Sequence, residues 1–289
     1  LGYGDDGTLW GGEFLLADYY GYQRLAHFQP IGMPGGTQAI LEPWRNAYAH
    51  LATTLGWQQV LQQFGQLPAI AALTHKPLSI IQQMLTQGVN SPLASSAGRL
   101  FDAVAAMLGI CSDRISYEGQ AAIQLESLAR PYFEPSATDY YPTDWQDGQI
   151  HWAPMWQALL SDLASQADPG LVAARFHQTL VQTIARTAQK LCQQQGLAQV
   201  VLSGGVLQNR LLLEALDQKL SDTGLEVFAP QQFPANDGGI SLGQAVIAQT
   251  HYKIQHQIEH GVEHGVEHGV EHGVEHGIEH AGSTNTEIS

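Results

Sequence analysis

The sequence predicts an α/β fold on the strength of three observations. The 289-residue chain is 44% hydrophobic and only 13% charged, which is enough apolar material for a sizeable core. Residues 198–250 have the pattern strand, glycine turn, helix, strand, glycine turn, helix. Parallel strands need helical crossovers of this kind. Residues 37–195 carry mostly helical periodicity and predict a large helical insertion.

The first 92 residues predict a hairpin followed by helices. After a Gly/Asp turn, Gly21 separates the strand-like runs "WGGEFLLADYY" and "YQRLAHFQPI". The pattern becomes helical from Glu42, with a proline at the start, where the missing N–H costs least. Further short helices are expected up to residue 92, with breaks at Gly65, Pro68 and Pro77.

The rest of the globular part predicts helices and two short strands. A helix over 95–110 carries one apolar stripe, and "SYEGQAAIQLESLA" opens another. Residues 133–150 are rich in Pro, Asp and Tyr and predict a surface connection. Helices are expected over 152–166 and 170–195. "AQVVLSGGV" then predicts a buried strand, "NRLLLEALDQKL" a helix and "LEVFAP" a second strand.

Charge and cysteine content exclude several classes of protein. A net charge of −15, from 27 acidic and 12 basic residues, argues against the basic face of a nucleic-acid binder. No apolar run approaches the roughly 18–20 residues that span a bilayer. Cys111 and Cys192 form no CxxC motif and fit a reducing cytosol. We therefore expect a cytoplasmic protein with no nucleic-acid or membrane partner, and the opening "LGYGDDG" predicts a fragment of a longer polypeptide.

The C-terminal segment differs in composition from the rest. Residues 259–280 repeat "EHGV", so six histidines recur every fourth residue, at positions 260, 264, 268, 272, 276 and 280. On a helix this spacing would align imidazoles suited to Ni²⁺ or Zn²⁺. A glycine every fourth residue, however, costs a helix roughly 1 kcal/mol each. The sequence predicts a disordered His-rich tail over 251–289, with a metal store as the alternative.

Two glycine turns of similar design lie about thirty residues apart, in "LSGGV" and "NDGGI". Gly204 and Gly205 follow a predicted strand and precede a helix, where backbone N–H groups bind anions and glycine permits close approach. Asn209 is expected just inside that helix, within reach of a base or ribose. Asp237 opens the second turn, where a carboxylate either caps a helix or binds a metal. For the first turn, the alternative is a tight turn that binds no ligand.

Two further features complete a possible nucleotide site. Asp102 lies in the apolar helix over 95–110, either at the solvent edge of its stripe or as an acceptor for a ribose diol. A third Gly-Gly pair, Gly11 and Gly12, lies in a strand, where glycine weakens packing unless something approaches closely. Taken together, the three pairs and the polar residues beside them indicate a nucleotide held between two lobes.

The chain resembles the C-terminal transfer domain of the HypF family, the hydrogenase-maturation carbamoyltransferases. The resemblance rests on six segments: "GYGDDGTLWGGEF", "EPWRNA", "SPLASSAGRLFDAVAAMLGI", "ISYEGQAAIQLE", "VVLSGGVLQNRLL" and "NDGGISLGQAVIA". It covers nearly all of residues 1–250 and implies a lobe of the actin-like ATPase superfamily there. The repeat tail over 251–289 is not part of the family pattern.

The resemblance implies a reaction and its participants. In full-length members, carbamoyl phosphate and ATP give carbamoyl adenylate. The C-terminal domain then passes the carbamoyl group to the C-terminal cysteine of a HypE-type partner. That group becomes a cyanide ligand of the [NiFe]-hydrogenase iron. ATP or carbamoyl adenylate and a divalent metal ion, whether zinc, iron or magnesium, are the implied cofactors.

The resemblance also assigns roles to individual residues. Gly11, Gly12 and Glu13 match a phosphate-side "WGGE" loop. Asp102 matches a ribose-binding acid, and Gly119 matches a glycine near the sugar. Gly204, Gly205 and Asn209 match the "SGGVxxN" nucleotide turn. Asp237 matches a metal-ligand aspartate.

The chain departs from the family pattern in its metal ligands. The family also uses an HxxxH pair and an Asp in an "LDG" turn, and both would lie before residue 1. The only HxxxH spacings here begin at His256, in the tail. One carboxylate holds a divalent ion poorly, so the chain is expected to carry half an active site.

Two other functions remain open at this point. One is a threonylcarbamoyl-transfer enzyme acting with tRNA, although the missing basic surface weakens a tRNA role. The other is an inactive remnant fused to a His-rich nickel-binding tail.

Overall fold

The computed structural model of the protein describes residues 2–267. The chain forms two compact units. Within the described residues, the larger comprises residues 2–17 and Tyr22–Ile240, and the smaller combines Asp18–Gly21 with residues 241–267. Among the described helices, none has the length and apolar character needed to cross a bilayer.

The described strands are short and form three small sheets. They are β1 (Gly2–Tyr3), β2 (Leu9–Trp10), β3 (Glu13–Ala17), β4 (Tyr22–Phe28), β5 (Ile31–Gly32), β6 (Leu93–Ala94), β7 (Asp144–Gln146), β8 (Gln149–His151), β9 (Gln199–Val201) and β10 (Glu226–Phe228). The sheet orders are β1-β2-β6-β5, β3-β4-β8-β7 and β10-β9. The predicted hairpin is confirmed, because β3 pairs antiparallel with β4.

Helices supply most of the larger unit, as the sequence predicts. They are α1 (Thr37–Leu41), α2 (Pro43–Thr54), α3 (Trp57–Phe64), α4 (Pro68–Thr74), α5 (Leu78–Gln87), α6 (Ala97–Met107), α7 (Gln120–Ala129), α8 (Ala153–Ala164), α9 (Pro169–Gln195) and α10 (Arg210–Ser221). The last described helix, α11 (Ile240–Glu267), belongs to the smaller unit from its second residue onward. The predicted breaks at Gly65, Pro68 and Pro77 are confirmed, since each lies at a helix boundary.

Helix α9 runs through the core of the larger unit. It begins where Asp168 accepts a hydrogen bond from the Gly170 backbone N–H at 2.7 Å, and it ends at Gly196, whose φ of 66° is left-handed. α9 packs against α7, α8 and α10, and α6 packs against α2 and α7. Phe101 of α6 and Phe176 of α9 meet edge to face, with ring centroids 5.0 Å apart. The two helices are therefore joined by buried aromatic contact.

The two strands that flank the first glycine turn pair as predicted. β10 lies parallel to β9, with Val227 opposite Val200. The connection between them is α10, a right-sized crossover helix that buries Leu212, Leu216 and Leu220. The α/β arrangement of residues 198–250 is therefore confirmed.

The prediction of a surface connection over 133–150 is confirmed for most of the segment, which is exposed or half-buried, but it misses a β-hairpin at the C-terminal end. The segment contains the β7–β8 hairpin, and β8 pairs parallel with β4 through Phe28 and Ile150. Tyr141 and Ile150 are both buried. The Pro/Asp/Tyr composition correctly predicts turns but cannot report that a non-local strand, β4, offers an open edge.

The C-terminal helix extends beyond the boundary predicted at residue 250. α11 is helical from Ile240 to Glu267 and so includes the first repeat units, where the sequence predicts disorder. Helix elongation adds one hydrogen bond for each residue fixed, so an established helix continues where a new one would not start. The rest of the predicted tail, 268–289, lies outside the described residues.

Replacement of Ile150 by alanine is expected to lower the free energy of unfolding by about 2–4 kcal/mol, because a 1% exposed side chain leaves a cavity. Val201→Ala, at a site 69% exposed, is the matched control and should change it by less than about 0.5 kcal/mol. Urea unfolding measures both. Equal effects would mean that the hairpin, too, behaves as a surface connection.

Candidate functional site

The structure brings the two glycine turns together. The Gly204 backbone N–H donates to the Ala235 carbonyl at 2.7 Å, and the Ser203 hydroxyl lies 3.4 Å from the same oxygen. This contact follows from the parallel pairing of β9 and β10, since the ends of adjacent parallel strands lie at one edge of a sheet. The turns thus form one continuous polar surface at that edge.

The first turn presents backbone donors that have no acceptor. Gly204 has a φ of 116°, which a side chain would strain, and a Cβ placed on Gly205 would meet only Asn236 Cβ, at 3.9 Å. Gly205 and Val206 open a 3₁₀ turn over Gly205–Gln208. In the part of the chain that the structure describes, their N–H groups donate to no protein acceptor. Successive unpaired N–H groups of this kind bind anions.

Protein groups accept most of the N–H donors at the N-terminus of α10. Asn209 Oδ1 accepts from the Leu212 N–H at 3.1 Å, and Glu126 Oε1 accepts from the Arg210 N–H at 3.2 Å. The expectation that Asn209 lies just inside the helix is therefore wrong, because it is the N-cap. Asn is a preferred N-cap because its side chain replaces a missing backbone acceptor. Among the described residues, two unpaired N–H groups therefore lie in the glycine turn, and the Leu211 N–H at the start of this helix is a third.

Asp102 is buried instead of lying at the solvent edge of its helix. It is 2% exposed, and its Oδ2 lies 2.9 Å from Arg99 Nε, although neither atom has a partner in hydrogen-bond geometry. Burial raises the pKa of Asp102 to about 6, an effect that the Arg99 charge partly opposes. A buried carboxylate oxygen without a hydrogen bond is unusual. A hydroxyl donor on a ligand is the chemistry that would satisfy it.

The first Gly-Gly pair is held by packing. Gly12 is buried, and a Cβ there would lie 2.6 Å from both the Phe28 ring and the Ser95 carbonyl. The expectation that this pair lies in a strand is wrong, because Gly11 and Gly12 connect β2 to β3. The close approach expected at such a glycine is confirmed for Gly12, and the approaching atoms belong to the protein itself. Gly11, which is exposed, donates its N–H to Glu13 Oε1 at 3.2 Å.

Glu13 is committed to a network that the sequence did not reveal. Its carboxylate accepts from Arg24 Nε at 2.6 Å and from the Ser95 hydroxyl. Arg24 also contacts Asp6 at 2.6 Å and stacks on the Trp10 ring. This network joins the β3–β4 hairpin to the residues that start α6. No short motif connects these positions, so only the strand pairing could have identified them.

Gly119 caps α7, the neighbour of the helix that carries Asp102. Its φ of 76° is left-handed, and a Cβ would approach nothing closer than Ile123, at 3.9 Å. The glycine is therefore required by backbone conformation, while the space around it stays open.

Asp237 does not cap its helix, contrary to one of the two roles expected for it. Asn236 Oδ1 accepts the Gly238 N–H at 3.0 Å, and Asp237 is exposed. Among the described residues, no cluster of three or more His, Cys, Asp or Glu side chains could hold a metal ion. The described residues therefore do not fit the implied metal.

His177, which the sequence patterns do not single out, contacts Asn209 beside the candidate site. The side chain is fully buried in α9, with Nδ1 2.7 Å from the Ala173 carbonyl and Nε2 3.0 Å from Asn209 Nδ2. Burial lowers the pKa of His177 to about 4, although the Ala173 hydrogen bond opposes this. The imidazole is thus neutral near pH 7. A histidine in a helical pattern carries no signal of such a partner 32 residues away.

Comparison with known proteins places this geometry in a family. A model described as "Carbamoyltransferase, Kae1-like Domain, second subdomain" matches residues 1–244. The carbamoyltransferase HypF of Rhodobacter capsulatus is 42% identical over 248 residues, which is 86% of this chain and 31% of that protein. A tRNA N6-adenosine threonylcarbamoyltransferase of Parasynechococcus marenigrum is similar at 25% identity over 216 residues, which is 70% of this chain and 58% of that protein.

Solved structures show the same similarity. Full-length HypF in its phosphate- and nucleotide-bound form matches with a TM-score of 0.74 and 34% identity, over 86% of this chain and 32% of that one. HypF from T. kodakarensis matches with a TM-score of 0.75 and 28% identity, over 87% and 33%. This chain spans about a third of the length of these HypF proteins.

The buried imidazole of His177 is expected to make stability depend on pH. Its pKa is about 4 in the folded protein against an ordinary 6.5, so the unfolded chain binds more protons between these values and unfolding becomes easier as the pH falls. Asp102, with a pKa raised from 3.8 to about 6, acts in the opposite direction over that lower range. His177→Phe removes only the first effect. The free energy of unfolding of His177→Phe should be lower than that of wild type at pH 7, and this difference should decrease by about 2 kcal/mol when the pH is lowered to 5.

Urea unfolding at pH 7, 6 and 5 measures this difference, and Asp102→Asn provides a control with the opposite sign of slope. A deficit that stays constant with pH would contradict a neutral, buried His177.

Paired substitutions can test whether Asn236, and not Asp237, is the capping residue of the second glycine turn. Asn236→Ala should lower the free energy of unfolding by about 1 kcal/mol through loss of the cap, whereas Asp237→Ala should change it by less than about 0.5 kcal/mol. Chemical denaturation checks both. A larger loss with Asp237→Ala would show that the carboxylate is the structural member of the pair.

Proposed function

The chain belongs to the HypF family of carbamoyltransferases, and we propose that its residues 1–250 form the part that transfers a carbamoyl group from carbamoyl adenylate to a protein cysteine. The acceptor is the C-terminal cysteine of a HypE-type partner, and the purpose is [NiFe]-hydrogenase maturation. ATP and carbamoyl phosphate are the small-molecule substrates of the complete pathway.

One observation carries the nucleotide part of this proposal. The unpaired N–H groups of Gly205 and Val206 lie in a turn that tolerates no side chain at Gly204 and is joined to the second glycine turn through Ala235. Such a surface suits a phosphate, because its donors are already oriented and need no rearrangement. The nucleotide-bound state of a 34% identical HypF supports the same reading.

The sugar side of the nucleotide is assigned to α6 and α7. The carboxylate of Asp102 accepts no hydrogen bond from the described residues, although Arg99 lies beside its Oδ2, and we assign it as the acceptor for a ribose hydroxyl. Gly119 leaves open space at the start of the neighbouring helix. Gly11, Gly12 and Glu13 belong to a separate, well-packed loop, which we assign to holding the phosphate side in position.

In the transfer step the partner supplies the nucleophile, and the role of this chain is to assist the departure of the leaving group, AMP. The partner's thiolate sulfur bonds to the carbamoyl carbon, the bond from that carbon to the AMP phosphate oxygen breaks, and AMP leaves with the electron pair. The thiol proton passes to solvent. Donors at Gly205 and Val206 would bind the departing phosphate as its charge increases.

A tRNA threonylcarbamoyl-transfer role has weaker support. The related tRNA enzyme is 25% identical, against 42% for a HypF protein. A net charge of −15 opposes binding to a polyanion, whose affinity depends on neutralised phosphates.

Asp102→Asn is expected to weaken ATP and AMP binding by about 1–3 kcal/mol, because an ionised acceptor for the ribose is lost while the side-chain shape is kept. Calorimetry on the 289-residue chain measures the affinity. Asp113→Asn, at an exposed aspartate paired with Lys76, is the matched control and should bind as wild type does.

Transfer itself is followed by mass spectrometry of a cysteine-terminated acceptor peptide, with carbamoyl adenylate supplied by the complete enzyme. Asp102→Asn in that enzyme should slow formation of the carbamoylated peptide. Unchanged nucleotide affinity and unchanged transfer would remove Asp102 from the site.

A further inference from the structure

We infer that His177 is a positioning residue that aims the Asn209 amide toward the nucleotide turn and ties that turn to the helix carrying Asp102. The inference rests on the proposed nucleotide role of the turn, which it deepens. The two residues lie 32 positions apart, one in the middle of α9 and the other at the start of α10.

The hydrogen bonds determine the tautomer of His177 and the orientation of Asn209. Nδ1 lies 2.7 Å from the Ala173 carbonyl, which can only accept, so Nδ1 carries the proton. Nε2 of the neutral ring is then an acceptor, and Asn209 Nδ2 donates to it at 3.0 Å. This arrangement leaves Asn209 Oδ1 facing the Leu212 N–H, which it caps at 3.1 Å. All three contacts agree on one arrangement.

One donor of Asn209 remains available after these contacts. The second Nδ2 hydrogen has no acceptor among residues 2–267. Because the other two polar positions of the amide are occupied by protein, this hydrogen has one direction open to it. An amide held in this way presents a fixed donor at the end of the 3₁₀ turn that begins with Gly205 and Val206.

An apolar enclosure makes this hydrogen bond stronger than one at the surface. The imidazole meets the rings of Phe101, Phe133 and Phe176 edge to face, at centroid distances of 5.3, 6.4 and 5.8 Å. Water is excluded from a ring that is 0% exposed, so an unmet Nε2 would be costly. Phe101 precedes Asp102 in α6. The same imidazole therefore contacts the helix of the sugar-side acid and the cap of the phosphate turn.

The chain offers a matched control for loss of a buried imidazole. His50 of α2 is also fully enclosed, packs against Trp156 with centroids 5.8 Å apart, and has a pKa lowered to about 3 by burial. Its Nδ1 has no hydrogen-bond partner in the described structure. His50→Phe therefore removes a neutral, buried ring without disturbing Asn209.

The first arm of the test needs no nucleotide. Hydrogen-exchange mass spectrometry of peptides covering 204–212 should show about three- to tenfold faster exchange in His177→Phe, the size expected for one lost buried hydrogen bond. His177→Gln places an acceptor near the position of Nε2 and should restore protection. His50→Phe should leave these peptides unchanged. Equal exchange in His177→Phe and wild type, or no rescue by glutamine, would overturn the inference.

The second arm measures ATP affinity by calorimetry for wild type, His177→Phe, Asn209→Ala and the double variant. Each single change should weaken binding about three- to tenfold, and the double variant should be little weaker than either, because the two residues act through one contact. Additive losses would overturn the inference. If wild type binds no ATP, or Asn209→Ala binds it normally, the proposed nucleotide role fails instead, and the exchange arm still decides the positioning role.

Discussion

The burial of a polar helix is the constraint on which much of this structure depends. Helix α9 runs through the core, yet it carries His177, Gln178, Thr179 and Thr183 at buried positions. A buried polar group without a partner costs about 1–3 kcal/mol. Each of these side chains bonds to a neighbouring segment through at least one atom, although Gln178 Oε1 has no partner in the described structure. These bonds hold irregular segments against the helix.

The partners of α9 show these bonds directly. Gln178 Nε2 donates to three backbone carbonyls in the segment 134–137, at 2.8 to 3.0 Å. Thr179 accepts from the Tyr141 N–H at 2.8 Å, and Thr183 meets Thr143 at 3.1 Å. The segment before the β7–β8 hairpin is thus held by side chains of one helix. His177 does the same for the start of α10, which connects core packing to the candidate site.

The glycines of the candidate site have different physical causes, although they look alike in the sequence. Gly12 is required because the Phe28 ring and the Ser95 carbonyl leave no space for a Cβ. Gly204 is required by its φ of 116°, and Gly205 has open space around it. Gly204 and Gly205 therefore leave a surface that a ligand can approach, as Gly119 does at the start of α7, whereas Gly12 does not. A Gly-Gly motif predicts close approach, but the structure decides whether protein or ligand approaches.

The sequence by itself determined the elements that depend on local chemistry. The β3–β4 hairpin, the breaks at Gly65 and Pro77, and the strand–turn–helix order after residue 198 follow from turn residues and hydrophobic periodicity, which act over a few positions. Family motifs also identified which residues to examine, including Asp102 and Asn209.

Only the tertiary structure decided how those residues are used. It buried Asp102 and raised its pKa, made Asn209 an N-cap, assigned the second cap to Asn236 rather than Asp237, and brought His177 to Asn209. These outcomes depend on desolvation and on contacts between segments far apart in the chain. Neither quantity is encoded in the spacing of neighbouring residues, because both arise when helices and strands close around a common core.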